Sequence, residues 1–303
     1  MAAPLIAIVG PTAAGKSRLA LDLARTHAGE IVSCDSLQIY RGLDIGSAKP
    51  GALERRLVPH HLVDVVDPAE EFSAAEYARR ARAAVRDIAA RGRLPLVVGG
   101  TGLYLRALLQ GLFEGPSRDE ALRRRLEGMA RRFGDARLHR LLRRVDPAAA
   151  ARLEPRDRVR VIRALEVFAL TGRPLSGHHQ SVPDPLTGFS VRVLVLDPGP
   201  AVLRVAVLAR TRRMFEAGLL DEVRGLLAEG LSPDVRPLKA IGYRQAVAVL
   251  QGRSDPESAE RNTVTATMQY AKRQRTWFRH QVEAVWCRDS PSAAAEAVAF
   301  LSA

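Results

Sequence analysis

The sequence predicts an α/β fold, a parallel-sheet core with an inserted all-helical subdomain. Three observations carry that expectation: short apolar runs that end in glycine-rich turns, helical patterns between those runs, and one long arginine-laden stretch with no strand in it.

The core opens with Leu5-Ile6-Ala7-Ile8-Val9, an apolar, partly β-branched run that suits a strand buried on both faces. Gly10-Pro11-Thr12-Ala13-Ala14-Gly15-Lys16-Ser17 follows and satisfies G-x-x-x-x-G-K-[ST], the phosphate-cradling pattern. Behind it Leu19, Ala20, Leu23 and Ala24 recur at helical spacing. Strand, glycine loop and helix form the context that this pattern needs, so the core is expected to be P-loop NTPase-like. Glycines let backbone N–H groups converge on an anion, and the helix N-terminus adds its dipole. Lys16 then neutralises phosphate oxygens, and the Ser17 hydroxyl holds Mg²⁺.

A second strand, Glu30-Ile31-Val32-Ser33-Cys34, runs into Asp35-Ser36-Leu37-Gln38. In an open parallel sheet the residues past a strand's C-terminal end line the ligand crevice, which places Asp35 and Ser36 beside the phosphate loop. Tyr40 to Pro50 reads as a loop. Ser73 with Glu76 predicts a capping box for a helix to about Ala90. Leu94 to Val98 is a third buried strand, followed by Gly99-Gly100-Thr101-Gly102. Thr101 is there either to contact a ligand or to stabilise the turn.

From about Leu112 the composition changes. Arg118 to Arg173 is helical and carries Arg123-Arg124-Arg125, Arg131-Arg132 and Arg143-Arg144. Residues 112–188 are therefore expected to be the insertion, with 1–111 and 189–303 as the core. Thr171 to Gly188, with His178-His179, reads as the return linker. Phe189 to Leu196 alternates like a strand and rejoins the sheet. Helices follow at Val202–Ala217, which carries Arg210, at Leu220–Ala228, and from Lys239. Ser254-Asp255-Pro256-Glu257 starts a long helix towards Gln281.

Charge narrows the partner. Lys and Arg number 46 against 33 Asp and Glu, a net charge of +13, with an isoelectric point near 10.8. Such an excess favours a polyanion, most often nucleic acid, although an arginine-rich coding bias gives the same totals. Cys34 and Cys287 have no metal-like spacing and are expected to be reduced and packed. No run of eighteen apolar residues occurs and Met1-Ala2-Ala3-Pro4 has no charged leader, so a cytoplasmic chain is expected.

The phosphate chemistry turns on acids. The third strand runs into Gly99-Gly100-Thr101 with no Walker-B aspartate, which counts against an NTPase. Asp35 is the acid best placed for the crevice, with Asp197 a weaker rival. Beside a phosphate, an aspartate either helps to hold Mg²⁺ through water or accepts a proton from a nucleophile. The plain alternative is a helix cap or Asx turn.

These segments, in order along almost the whole chain, resemble the bacterial tRNA dimethylallyltransferases. The resemblance is carried by GPTAAGKS, by Asp35 to Tyr40 with Ile45 to Pro50, by Pro59-His60-His61-Leu62-Val63-Asp64 and by Val98 to Tyr104. Arg163 to Val167, Ile241 to Gln245 and Ala271 to Trp277 extend it. It implies transfer of a dimethylallyl group from dimethylallyl diphosphate to N6 of the adenosine 3′-adjacent to the anticodon in tRNA. Diphosphate is released, and a helical insertion grips the anticodon stem-loop.

Residue by residue, Gly10, Pro11, Thr12, Ala13, Ala14, Gly15, Lys16 and Ser17 would bind the diphosphate, with Mg²⁺ on Ser17 and Arg210 reaching in from a later helix. Asp35 matches the general base, and Thr101 a contact to the target nucleotide. Asp35, Ser36, Leu37 and Gln38, then Val159, Arg160, Val161, Ile162 and Arg163, then Ile241, Gly242, Tyr243 and Arg244, match positions that touch the target loop. Arg123 would hold a backbone phosphate. Trp277 and Phe278 are expected in the core, and His60 and His61 are expected to be structural. The resemblance also suggests a monomer. One departure stands out: Ala206-Val207 replace an Arg-Ile pair usual one turn before Arg210. The competing readings are a prenyltransferase of free adenine nucleotides, a small-molecule kinase, and a non-catalytic RNA-binding protein.

Overall fold

A computed structural model describes residues 2–112, 115–116, 118–178 and 185–303. These residues divide into two compact units, Met1–Leu109 with Leu186–Ala303, and Gln110–Pro185.

The first unit is built on a six-stranded sheet with every pairing parallel. In chain order its elements begin β1 (Ala3–Val9), α1 (Lys16–Thr26), β2 (Gly29–Cys34), α2 (Ala52–Leu57), β3 (His60–His61), α3 (Ala74–Ala90), β4 (Leu94–Gly99) and α4 (Gly102–Gln110). The strand order is β3-β2-β4-β1, continued by two later strands. β2 and β4 are buried along their whole length, as their continuous apolar runs demand. Ser73 caps α3 by accepting the Glu76 amide. The second half of the expected box does not form: the Glu76 carboxylate binds Arg79 and Arg80, which neutralise it on the helix surface.

The second unit holds α5 (Glu120–Phe133), α6 (Asp135–Val145), α7 (Pro147–Arg152), α8 (Arg158–Thr171) and α9 (Leu175–His178). No strand occurs among its described residues. Its core is Leu126, Leu138, Leu142, Val161 and Leu165 with small alanines between. Asp119, Asp146 and Asp157 each cap a helix by accepting a backbone amide. Residues 179–184 of the expected return linker, His179 included, lie outside the described residues.

The first unit then resumes with β5 (Phe189–Leu196), α10 (Pro200–Glu216), α11 (Leu219–Ala228), a 3₁₀ turn at Pro237–Lys239, α12 (Tyr243–Leu250), α13 (Pro256–Gln281), β6 (Val285–Cys287) and α14 (Ser290–Ser302). α13 starts at Pro256 under an Asp255 cap, as the sequence predicts. β5 lies beside β1, and β6 closes the far edge.

Register fixes the site. Val9 lies opposite Gly99 on one side and Val195 on the other, and Cys34 is also opposite Gly99. The chain thus leaves four adjacent strands at one edge of the sheet, at Gly10, Asp35, Gly100 and Asp197. Both cysteines are buried and unpaired.

Candidate active site

The loop after β1 has the backbone its glycines permit. Gly10 sits at φ +138°, and a Cβ there would come within 2.4 Å of the Leu196 carbonyl oxygen. Gly15, at φ +92°, turns the chain into α1. Lys16 folds back across the loop, donating from Nζ to the carbonyls of Gly10 at 3.0 Å and Pro11 at 2.6 Å. Arg210 reaches in from α10 and donates to Thr12 Oγ1 at 3.1 Å.

Two cations therefore share this loop. Burial, and then Arg210, pull the Lys16 ammonium down to about 8, with Asp35 pulling the other way. Burial also lowers the Arg210 guanidinium, again opposed by Asp35. An anion placed between them would relieve both groups.

Asp35 and Ser36 follow β2. Asp35 Oδ1 accepts the Leu37 amide at 2.8 Å, closing an Asx turn, and the carboxylate still faces the crevice. Thr101 donates its amide to the Cys34 carbonyl at 3.1 Å, and its Oγ1 accepts the Ser36 amide at 3.1 Å. The Thr101 hydroxyl thus ties the turn after β4 to the segment carrying Asp35. Asp197, the other acid of the crevice edge, has a side chain 7% exposed and bound to Arg275 at 2.6 Å.

Two cavities meet at Asp35. One, of about 300 Å³, holds Lys16, Ser17, Gln38 and Gly100. The other, of about 350 Å³, is walled by Tyr40, Phe72, Tyr104, Met214 and Ile241. Thr12, Asp35, Ser47, Arg210 and Tyr270 line both. Val207, one of the departures from the family pattern, lies in the wall of the aromatic cavity as a buried aliphatic group.

Sequence reasoning missed two residues that hold this arrangement. Glu222 on α11 accepts the amides of Asp44 at 2.9 Å, Ile45 at 2.6 Å and Gly46 at 3.4 Å, and the Tyr243 hydroxyl at 2.8 Å. Gly46 is required because a Cβ would lie 2.5 Å from the Tyr243 ring. Gln274 on α13 bonds to both Thr12 and Gly100. Its segment belongs to the resemblance, but nothing local marks that residue out. The expected core residues Trp277 and Phe278 pack edge to face at 5.2 Å, and Phe278 is wholly buried. His60 bonds to the Val58 carbonyl and also lines the phosphate-loop cavity, and His61 bonds to Glu30.

The remaining predicted contacts divide by burial. Ile241 and Gly242 line the aromatic cavity and Arg244 is exposed, but Tyr243 is wholly buried with its hydroxyl on Glu222. In the helical unit Val159 and Arg160 are exposed, while Val161 and Ile162 are core. Arg123 forks onto Glu166 with two 2.7 Å bonds, and Arg163 adds a third. Glu166 is wholly buried and its charge is met by both arginines.

A model of the IPP transferase family matches residues 38–281. The tRNA dimethylallyltransferase of Solibacter usitatus (strain Ellin6076) is 50% identical over 287 residues, covering 94% of this chain and 93% of that protein. This chain belongs to the IPP transferase family. That of Halorhodospira halophila (strain DSM 244 / SL1) is also 50% identical, over 94% of this chain and 93% of its own length. Among solved structures, the tRNA isopentenylpyrophosphate transferase of Bacillus halodurans is 38% identical with a TM-score of 0.70, covering 99% of this chain and 95% of that one. A eukaryotic dimethylallyltransferase acting on tRNA is 28% identical with a TM-score of 0.77, covering 99% and 80%. Membership agrees with the expected P-loop-like α/β core with a helical insertion, and with the reading of a prenyl-transferring enzyme. Among the described residues no helix is long and apolar enough to cross a membrane.

Proposed function

We propose that the protein transfers the dimethylallyl group of dimethylallyl diphosphate to N6 of the adenosine 3′-adjacent to the anticodon of tRNA, acting as a cytoplasmic monomer. The observation that carries this reading is the placement of Asp35 where a phosphate-type cavity meets an aromatic one.

The donor's diphosphate lies in the loop 10–17, against Lys16 and Arg210, and its allylic carbon points to Asp35. The carbon–oxygen bond breaks ahead of attack, the electron pair leaves with the diphosphate, and preorganised cations stabilise the growing charge. N6 of adenine is a poor nucleophile because its lone pair is delocalised into the ring. Asp35 accepts its proton as the new carbon–nitrogen bond forms. The base reaches this site by leaving its stack, which costs less in an anticodon loop, where it is unpaired.

Ser17 presents a hard hydroxyl oxygen in the cavity that holds the phosphate loop, which would suit Mg²⁺ completed by water and phosphate oxygens. When bound there, Mg²⁺ neutralises charge on the leaving diphosphate. Exposed arginines of the helical unit, Arg124, Arg125, Arg131, Arg132, Arg143 and Arg144, suit backbone phosphates.

The test is incubation with labelled dimethylallyl diphosphate, Mg²⁺ and either unmodified tRNA or AMP. Label in the anticodon loop of tRNA is expected. Label in AMP alone would replace this reading with a free-nucleotide prenyltransferase, and phosphate transfer from ATP with a kinase.

A further inference from the structure

Gln274 lies within α13 and is 6% exposed. Its Oε1 accepts the Thr12 amide of the phosphate loop at 2.9 Å, and its Nε2 donates to the Gly100 carbonyl at 2.8 Å. β1 and β4 are paired as far as Val9 and Gly99, and beyond that rung the two chains carry on as separate loops. One carboxamide joins them, accepting from one chain and donating to the other as a peptide group in an intervening strand would.

The same helix explains two of the glycines after β4. A Cβ on Gly100 would stand 2.3 Å from Gln274 Nε2, and a Cβ on Gly102 would stand 2.2 Å from the Trp277 ring. From Gly100 the connection continues through Thr101, whose Oγ1 accepts the Ser36 amide and whose own amide binds the Cys34 carbonyl. Those two residues flank Asp35.

We propose that Gln274 is a positioning residue that locks the phosphate loop to the Thr101 turn and so sets the donor's allylic carbon relative to Asp35. The proposal rests on the function proposed above for the same site. It needs a carboxamide of this length. Asparagine is one methylene short, roughly 1.5 Å of reach, and glutamate cannot donate to the Gly100 carbonyl. Gln274 also occupies the Thr12 amide, removing it from the set that faces the anion. Its loss should therefore damage the rate more than donor binding.

The decisive variant is Gln274→Met, which keeps the volume and removes both bonds. Hydrogen exchange should speed up together in segments 10–17 and 99–104, and the single-turnover rate should fall roughly 10- to 100-fold, while the donor KM stays within about threefold of wild type. Gly100→Ala, which drives the carboxamide away from the other side, should behave alike. Combining the two should cost no more than the worse single change, because both break one link.

Unchanged exchange in either segment, a rate within about twofold of wild type, a donor KM that rises as far as the rate falls, or losses that multiply in the double variant would each overturn the proposal. Should the wild-type protein prenylate nothing, the proposed function falls, and the exchange experiment alone decides the role of Gln274.

Discussion

Replacing Glu222 by alanine should loosen the active-site crevice from a distance. The Glu222 carboxylate holds the loop after β2 by the amides of Asp44, Ile45 and Gly46, and holds the Tyr243 hydroxyl. Hydrogen bonds to a charged group contribute about 1.5–3 kcal/mol each, but only where water cannot replace the lost partner. Asp44 is exposed, so its amide rehydrates, and the 3.4 Å contact to Gly46 is weak. The Ile45 and Tyr243 bonds, at 2.6 and 2.8 Å, remain to be counted. Together they give an expected loss of roughly 3–6 kcal/mol for Glu222→Ala. Tyr243→Phe removes one of them and should cost about 1.5–3 kcal/mol. Burial, and then Glu222, push the Tyr243 hydroxyl up, so it stays protonated and donates at all ordinary pH.

Urea unfolding of the two single variants and the double variant measures this directly. A coupling of about 1 kcal/mol or more between the two sites is expected. The rate should also fall, because the loop ends at Ser47, which lines both cavities and whose carbonyl lies 3.5 Å from an Arg210 nitrogen. A loss under about 1 kcal/mol for Glu222→Ala, or strictly additive losses, would refute the clasp.

Asp35→Asn should lower kcat by about 10²- to 10⁴-fold and leave tRNA affinity near wild type; equal losses in rate and binding would sink the general-base role. Lys16→Ala should raise the donor KM by about tenfold or more, read from initial rates at fixed tRNA, and an unchanged KM would contradict the assigned cradle. Glu30 supplies a pH dependence: Arg91 first, against the opposing effect of burial, holds its carboxyl down at about 2. The stabilisation is fully present above the ordinary glutamate value of 4.5 and is lost as the pH falls from there through about 2. It amounts to about 3 kcal/mol for this buried carboxylate. Glu30→Gln should be less stable at pH 7 and show a flatter acid limb in chemical denaturation; an acid limb as steep as wild type would tell against it.

Much of this was legible because it is local. The strands β1, β2, β4 and β5 announce themselves as β-branched apolar runs, and G-x-x-x-x-G-K-[ST] is contiguous. The strand-end rule places Asp35 at the crevice edge, whereas Thr101 lines neither cavity and serves the turn beside it. β3 and β6, two and three residues long, are too short to show a period, and α14 passed without notice behind β6. The resemblance places Val161 and Ile162 in the RNA-facing set as part of a segment, yet successive helical residues point some 100° apart. That rotation exposes Val159 and Arg160 and buries the two that follow. Glu222 and Gln274 escaped for a different reason. Both act on backbone groups far along the chain, and a backbone partner leaves no mark in the sequence.

The position of the acid distinguishes this loop from one that serves phosphoryl transfer. That chemistry places its nucleophile in line with a phosphorus atom and holds its metal with an acid near the phosphates. Here β4 ends in Gly99-Gly100-Thr101, the end of β5 places Asp197 against Arg275, and the carboxylate at the join is Asp35. Asp35 lines the aromatic cavity as well as the phosphate one, so under the proposed function its carboxylate stands beside the space that a base would fill. Lys16 stands on the phosphate side, and Arg210 lines both cavities while bonding to Thr12 of the loop. Burial holds both below their ordinary values, so negative charge placed between them is stabilised. A donor whose diphosphate gains charge as its carbon departs uses both features at once. A phosphoryl donor would leave Asp35 and the aromatic wall without a task.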